Sequence, residues 1–244
     1  MSIVIGTNAP ALMAAHHLRS SRGDLETAME RLASGNRINS ADDDAAGAGI
    51  ASKLMAQIRG TDQAMRNAQA GIAVAQVAES ALVEVENMAQ RIRELAVQKA
   101  STGTYSASDI TNIDNEITAL NSEISDIATN TKFNNTAVSG GTGVFAIRFD
   151  GSTATMALPA FITGAGSTVG AVDTALNSIA TARGSLGAII NRLEYTVNNL
   201  SNVSANTSAA YSKIMDTDYA AESAAVAKGQ VLQQAGASIL AQAN

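Results

Sequence analysis

Residues 31–51 read RLASGNRINSADDDAAGAGIA, residues 90–98 read QRIRELAVQ, and the chain between them contains no proline. Apolar residues recur through this stretch at intervals of three, four and seven, the spacing of one helical face held close to a heptad. They are Ile50, Leu54, Ile58, Met65 and Ile72, and then Leu82, Val85, Ala89, Ile92 and Ala96. This pattern predicts one helix over residues 43–99, roughly 80 Å long at about 1.5 Å per residue.

A helix of that length exceeds what a globular core can surround, so its apolar seam must lie against other helices. Ser40 is predicted to cap its start, with Asp43 three residues later, and the three carboxylates of residues 42–44 suit the positive end of the helix dipole. The same carboxylates do not fit a cation loop, which needs ligands at alternate positions and a glycine turn.

The composition excludes several classes of protein. The 244 residues include 46% apolar but only 3% aromatic residues, with no tryptophan and no cysteine, which favours helix packing on helix over a compact enzyme. The net charge of −6 and the absence of a basic cluster argue against nucleic-acid binding. No apolar run approaches the ~20 residues that span a bilayer, so no membrane insertion is expected. The first residues, MSIVIGTNAPAL, make a poor secretory leader, so we expect a cytosolic protein or one exported without a cleaved signal peptide.

The rest of the chain continues the helical pattern around one irregular insert. Residues 11–34 form a first predicted helix, which ends near Gly35. Ser106 is predicted to cap a third helix, antiparallel to the end of the long one, with Asp109 in the capping position. The heptad of that third helix consists of Ile110, Ile113, Ile117, Leu120, Ile124 and Ile127.

Residues 130–170 lose the helical spacing, and strand-like residues flank Asp150-Gly151-Ser152, which predicts a β-hairpin near residues 144–158. Helical spacing returns at Val172 and is interrupted once, by Arg183, a polar seam residue of the kind that usually sets register. Residues 220–244 form a last helix that can pair with residues 11–34. The predicted fold is mainly α: an elongated antiparallel long-helix bundle or coiled coil with a small β-hairpin region.

No set of residues in the sequence has the spacing of an active site. His16 and His17 are adjacent and so face different sides of a helix, and residues 139–143 (SGGTG) lack the lysine of a phosphate loop. The sequence therefore predicts no enzyme, no catalytic residue, no metal site and no cofactor. A polar cluster near the end of the long helix permits two interpretations, a solvated face or a contact surface between subunits. It consists of Gln90, Arg91, Arg93, Glu94 and Gln98.

Several ordered segments resemble bacterial flagellins. The two segments quoted at the outset match the amino-terminal signature of that family, and Thr131-Lys132-Phe133-Asn134 follows the third helix as it does there. Asn191-Arg192-Leu193-Glu194, Asn198-Asn199-Leu200 and the closing LQQAGASILAQAN are similar to the carboxyl-terminal region. The resemblance covers nearly all of the chain at both ends and identifies it as a member of the family, of a minimal form with two domains.

The resemblance implies the domain organisation and the packing residues. Residues 1–40 and 205–244 would form an inner terminal-helix coiled-coil domain, and residues 41–204 an outer rod domain that carries the hairpin. The inner domain would pack through Leu18, Leu25, Leu32, Val231, Ile239 and Leu240. A surface formed by Gln90, Arg91, Leu95 and Glu116 would contact the neighbouring subunit, and in the monomer it would bind a vertebrate Toll-like innate receptor.

The resemblance also implies a function, a location and partners. The chain would be a structural subunit that polymerises with itself into the extracellular flagellar filament for swimming motility. Its partners would be a flagellar export chaperone, the type III export apparatus, and hook-associated junction and cap proteins. Two alternatives remain open: a hook-filament junction protein, and a flagellin-like surface protein that binds polysaccharide.

Overall fold

The computed structural model describes residues 9–101, 103–148 and 150–243, without the side chains of Pro10, Ala154, Met156 and residues 239–243. Five helices carry most of the chain: α1 (Ala9–Ser34), α2 (Ala45–Ala100), α3 (Ala107–Asn130), α4 (Val169–Met215) and α5 (Tyr219–Ala243). Between α3 and α4 lie β1 (Lys132–Phe133), β2 (Thr136–Ala137), β3 (Thr142–Ala146) and β4 (Thr153–Ala157). The mainly α fold with a small β region is as predicted.

The contacts divide the chain into two compact units. One comprises the chain up to Ala56 together with the chain from Asn206 onward, and the other comprises Gln57–Ala205. The division falls inside α2, at residue 56, rather than in the loop that precedes this helix.

The core of the 57–205 unit is a regular heptad seam along α2. Every position of the seam is buried, at alternating intervals of three and four residues, and most of them carry alanine or glycine. The positions are Thr61, Ala64, Ala68, Gly71, Ala75, Ala78, Leu82, Val85, Ala89, Ile92 and Ala96. Small side chains let other helices approach closely, and α3 and α4 bury their own apolar residues in the same cluster.

The sequence prediction of this seam is confirmed in the second half of α2 and only in part in the first half. Leu82, Val85 and Ile92 are buried, whereas Ile50 is 52% exposed. The other predicted residues of the first half are half-buried, and one of them, Ile72, packs against the core cluster. The fully buried seam positions of the first half are the small residues beside them, over which another helix can approach closely.

The helix starts are set by side-chain caps. Ser106 Oγ accepts a hydrogen bond from the Asp109 N–H (3.3 Å), and the Asp109 carboxylate accepts one from the Ser106 N–H (3.0 Å), which confirms the predicted capping box. The Ser106 hydroxyl also donates to the Asp109 carboxylate at 2.6 Å, and this bond, together with the one from the Ser106 N–H, lowers the pKa of Asp109. The predicted cap of α2 is wrong: Asp44, not Ser40, accepts from the Gly47 N–H at 2.8 Å. Ser40 and Asp43 close the preceding turn instead.

Two β-hairpins lie between α3 and α4. β3 and β4 pair antiparallel, from Thr142 opposite Ala157 to Ala146 opposite Thr153, so the predicted hairpin is present with a longer loop around Gly151. β1 and β2 form a second hairpin that the sequence reasoning missed. Asn134 and Asn135 both have positive φ there, and an Asn-Asn pair between a phenylalanine and a threonine is a recognisable signal for such a turn.

In the other unit, α5 packs against α1. Gly229 faces Leu25, since a Cβ at Gly229 would lie 3.1 Å from the Leu25 side chain, and Gly236 faces Leu18 in the same way at 3.0 Å. The loops before α2 and α5 are joined by backbone hydrogen bonds, from Arg37 N–H to Met215 O (2.6 Å) and from Thr217 N–H to Gly35 O (3.1 Å). Gly35 adopts φ +73°, which explains why α1 ends there.

The capping box gives a stability prediction. Replacing Ser106 with alanine removes the acceptor for the Asp109 N–H at the start of α3, so we expect the free energy of unfolding to fall by about 1 kcal/mol. Urea denaturation followed by circular dichroism measures this change. Ser108→Ala, two residues further on, is the matched control and should leave stability nearly unchanged; equal effects of the two substitutions would contradict the cap.

Candidate assembly surfaces

The α1–α5 pair leaves large apolar side chains exposed to solvent. Leu25 is buried against α5 (7% exposed), and Leu18 and Leu32 are half-buried. In contrast, four large apolar residues of the pair are 46–67% exposed: Leu12, Met13, Val231 and Leu232. Val231 therefore does not pack within this chain, and the side chains of Ile239 and Leu240 lie outside the described ones.

A groove of ≈ 650 Å³ runs between α1 and α5. Its apolar floor includes Leu18, Leu25 and Leu232, with Gly229 and Gly236 between them. His17, Asp24 and Lys228 supply the polar rim. The helix pair thus presents an apolar surface that is only partly covered.

Polar contacts close one end of the pair. Arg31 Nη1 donates to Glu222 Oε1 at 3.3 Å, with both side chains mostly shielded from solvent, and the Tyr219 hydroxyl donates to the Leu32 carbonyl at 2.8 Å. These contacts link the end of α1 to the start of α5.

Three of the four residues of the predicted contact surface are exposed, and the structure pairs two of them. Gln90, Arg91 and Glu116 are exposed, and Arg91 donates to Glu116 Oε1 (3.0 and 3.1 Å) and to Glu94 Oε2 (3.1 Å). These carboxylates, Glu116 first, raise the pKa of the Arg91 guanidinium. The pairs link α2 to α3, but their exposure limits each one to less than about 1 kcal/mol.

Leu95 is the exception, because its side chain is only 2% exposed and belongs to the α2–α3–α4 core. It was placed on the contact surface by resemblance, whereas its position next to the heptad residues Ile92 and Ala96 turns it inward. Leu95 therefore supports the backbone that carries Arg91 and Glu94, and it offers no exposed side chain to a partner.

Further ion pairs continue along this end of α2. Arg93 Nε donates to Asp173 Oδ1 of α4 at 2.7 Å, which raises the pKa of Arg93, and Lys99 Nζ donates to Asp114 Oδ1 of α3 at 2.5 Å. The polar cluster is thus linked by ion pairs to both neighbouring helices.

Neither a metal centre nor a membrane-spanning segment is found in the described part of the chain. Across residues 9–101, 103–148 and 150–243, no three acidic or histidine side chains are grouped closely enough to hold a metal ion. Among the described helices, none is both long and apolar enough to cross a bilayer.

Long heptad helices with partly covered apolar faces define a helical structural protein, and comparison with known proteins gives its family. The model of the bacterial flagellin N-terminal helical region matches residues 5–141, and that of the C-terminal helical region matches residues 169–244. The chain belongs to the bacterial flagellin family. It is accordingly a structural protein and not an enzyme.

Full-length relatives agree with this assignment. The chain is 40% identical to the flagellin of Halalkalibacterium halodurans, over 99% of this chain and 96% of the relative. It is 37% identical to the flagellin of Bacillus subtilis, over 98% and 96%. It is also 37% identical to the flagellar filament 33 kDa core protein of Treponema phagedenis, over 99% and 96%. The junction-protein and polysaccharide-binding alternatives are not favoured.

The different burial of Leu95 and Gln90 gives a direct prediction. Leu95→Ala removes a core side chain, so we expect the free energy of unfolding to fall by about 2–5 kcal/mol. Gln90→Ala, on the exposed face of the same helix, should change it by less than about 0.5 kcal/mol. Denaturant titration of both variants measures the difference, and a Leu95→Ala protein as stable as Gln90→Ala would place Leu95 at the surface after all.

Proposed function

We propose that this chain is a structural subunit that polymerises with itself into the extracellular bacterial flagellar filament and thereby serves swimming motility. The observation that carries the proposal is the set of exposed apolar residues on α1 and α5, of which Leu12 (67%), Met13 (64%) and Val231 (63%) are the most exposed. Surfaces of this kind mark contacts with other proteins. Membership of the flagellin family supports further copies of the chain as those partners.

The geometry of assembly follows from the position of these residues. A contact between two different surfaces of identical subunits, when it does not close into a ring, produces a helical filament. In the filament, residues 1–40 and 205–244 form the inner domain, and its α1–α5 pair contacts the same pair of neighbouring subunits. Residues 41–204 form the outer domain, and the exposed surface of Gln90, Arg91 and Glu116 contacts the next subunit.

The remaining partners belong to the route by which the subunit reaches the filament. Before export, a flagellar chaperone covers α5, whose apolar residues Val231 and Leu232 are exposed. The type III export apparatus then delivers the chain to the growing filament. Hook-associated junction and cap proteins contact the two ends of the filament. In the free monomer, the surface of Gln90, Arg91 and Glu116 binds a vertebrate Toll-like innate receptor.

Electron microscopy of purified chain after seeding or addition of salt tests the proposal. We expect long filaments of uniform width. A chain that remains monomeric at every concentration and salt condition, or that forms only short caps, would contradict a polymerising subunit and favour a junction or cap role. For the receptor, reporter cells should respond to the monomer and lose the response with Arg91→Ala; no response to the unchanged monomer would contradict that part.

The exposed apolar residues predict a variant that folds but does not assemble. Replacing Leu12, Met13 and Val231 with serine changes side chains that face solvent in the isolated chain, so each should alter the free energy of unfolding by less than about 0.5 kcal/mol. Filament formation should nevertheless be lost, because the apolar contact between subunits is removed. Sedimentation measures the polymerised fraction.

The matched control for this variant replaces three exposed polar residues of the same two helices with serine: His16 and Arg19 of α1 and Gln230 of α5. This control should assemble like the unchanged chain. Normal filaments from the Leu12, Met13 and Val231 variant would show that the α1–α5 surface is not the subunit contact.

A further inference from the structure

Side-chain contacts within residues 57–205 define the register of α4 on α2. They join Asp62 with Ser204, Gly71 with Leu193, Glu79 and Glu86 with Arg183, and Arg93 with Asp173. From the first contact to the last, the position on α2 rises by 31 residues while the position on α4 falls by 31. The two helices therefore run antiparallel in one constant register over this whole length.

The apolar seam alone does not specify that register. Its positions on α2 repeat every seven residues, and so do the buried α4 residues Val172, Ile179, Leu186, Leu193 and Leu200. A slip of one heptad therefore places apolar residues against apolar residues again. Opposite Leu193, such a slip replaces Gly71 by Ala64 or Ala78, a difference of a single methyl group.

Among the contacts of the described residues, Arg183 is the one polar side chain of α4 that bonds to two residues of α2. Its Nε donates to Glu79 Oε1 at 2.8 Å, and its Nη1 pairs with Glu86 Oε2. These two carboxylates stand one heptad apart on α2, so the guanidinium lies between them. All three side chains are more than 60% shielded from solvent, and the two glutamates raise the pKa of Arg183.

Each one-heptad slip destroys this arrangement in a different way. Moving α4 toward the C-terminal end of α2 would place Arg183 between positions 86 and 93, where it meets Glu86 but also the like charge of Arg93. Moving it the other way would place Arg183 between positions 72 and 79, where Ile72 replaces one carboxylate, and would bring Asp173 toward Glu86. Only the observed register gives Arg183 two partners of opposite charge.

We propose that Arg183, held between Glu79 and Glu86, selects the register in which α4 packs on α2. Its role is to exclude slipped packings that the alanine-rich seam would otherwise tolerate, as a single polar residue does at the seam of a coiled coil. The inference deepens the proposed function, on which its consequence for assembly rests, because a slip of one heptad would shift the outward residues of α4 by about 10 Å along α2, away from their contacts on a neighbouring subunit.

Engineered disulfides report the register, and the chain has no cysteine of its own. Asp62→Cys with Ser204→Cys reports the observed register. Gln69→Cys with Ser204→Cys, and Asp62→Cys with Val197→Cys, report a slip of one heptad in each direction. Such a slip displaces the helices by about 10 Å, beyond the reach of a disulfide, so each pair forms only in its own register.

The decisive variant makes the cluster neutral with side chains of similar size: Glu79→Gln, Glu86→Gln and Arg183→Met. In the unchanged chain, only the disulfide between positions 62 and 204 should form. In the neutral variant we expect the 69–204 or the 62–197 disulfide, undetectable before, to form to an extent comparable with the 62–204 disulfide. Circular dichroism should still show a folded helical protein. Formation of only the 62–204 disulfide in this variant would overturn the proposal.

Two further variants serve as a control and as a second test of the register. Lys99→Met with Asp114→Asn removes an ion pair between α2 and α3, and it should leave the register unchanged. The charge-inverted variant (Glu79→Arg, Glu86→Arg, Arg183→Glu) covers the case in which the neutral variant fails to fold. In this variant a glutamate at position 183 would lie between two arginines in the observed register (positions 79 and 86). It would also lie between two arginines after a slip of one heptad toward the C-terminal end of α2 (positions 86 and 93), so the 69–204 disulfide should appear. Its absence would overturn the proposal.

Assembly is measured separately, by electron microscopy. The neutral variant should form fewer filaments than the unchanged chain, and oxidation of its 62–204 cysteine pair should restore them. If the unchanged chain formed no filaments, the proposed function would fail, whereas the disulfide pattern of the isolated chain would still decide the role of Arg183. Filament loss that the 62–204 disulfide does not rescue would contradict an effect through register.

Discussion

The 57–205 unit depends on a run of small residues at heptad spacing along α2. From Ala64 to Ala78 the heptad seam positions carry only alanine and glycine, which permits α4 and the β3–β4 hairpin to lie directly on the helix. A Cβ at Gly71 would lie within 3.2 Å of Leu193 and 3.7 Å of Phe145. The Asn67 side chain adds a hydrogen bond to the Ala146 carbonyl at 2.8 Å. The seam therefore positions the hairpin as well as the helices.

A seam of alanines brings helices close but distinguishes poorly between alternative registers. Specificity then has to come from polar contacts such as Arg183 with Glu79, which cost desolvation in any packing where a partner is missing. The other unit likewise combines small residues that allow close approach with a polar contact that links its helices. Gly229 and Gly236 allow α1 and α5 to approach each other, while Arg31 with Glu222 links the two helices at one end.

Much of this fold could be predicted from the sequence, because helix spacing and caps are local signals. The heptad of Ile113, Ile117 and Ile124 and the Ser106 cap show directly in the residue pattern. What could not be predicted depends on contacts between distant segments. No local sequence signal indicates that Ala68 is buried while Ile50 is exposed, or that Asp44 rather than Ser40 caps α2.

The candidate surfaces show the same limit. Gln90, Arg91 and Glu116 are exposed and Arg91 pairs with Glu116, whereas Leu95 lies in the core, because its orientation depends on α3 and α4. The Asn134-Asn135 turn was missed for a different reason: its signal is local, but the strands beside it are only two residues long. Arg183 was recognised as a seam residue, and only the structure supplied its partners.

The exposed apolar face of α1 and α5 distinguishes a subunit from a self-contained protein, and the oxidation of methionines measures its burial most directly. Met13 is 64% exposed and Met29 45% exposed in the isolated chain, whereas Met88 packs against the core. Peroxide oxidation followed by mass spectrometry should show Met13 and Met29 protected in filaments relative to monomer, with Met88 unchanged. Equal oxidation of Met13 in the monomer and in the polymerised sample would contradict burial of this face by neighbouring copies.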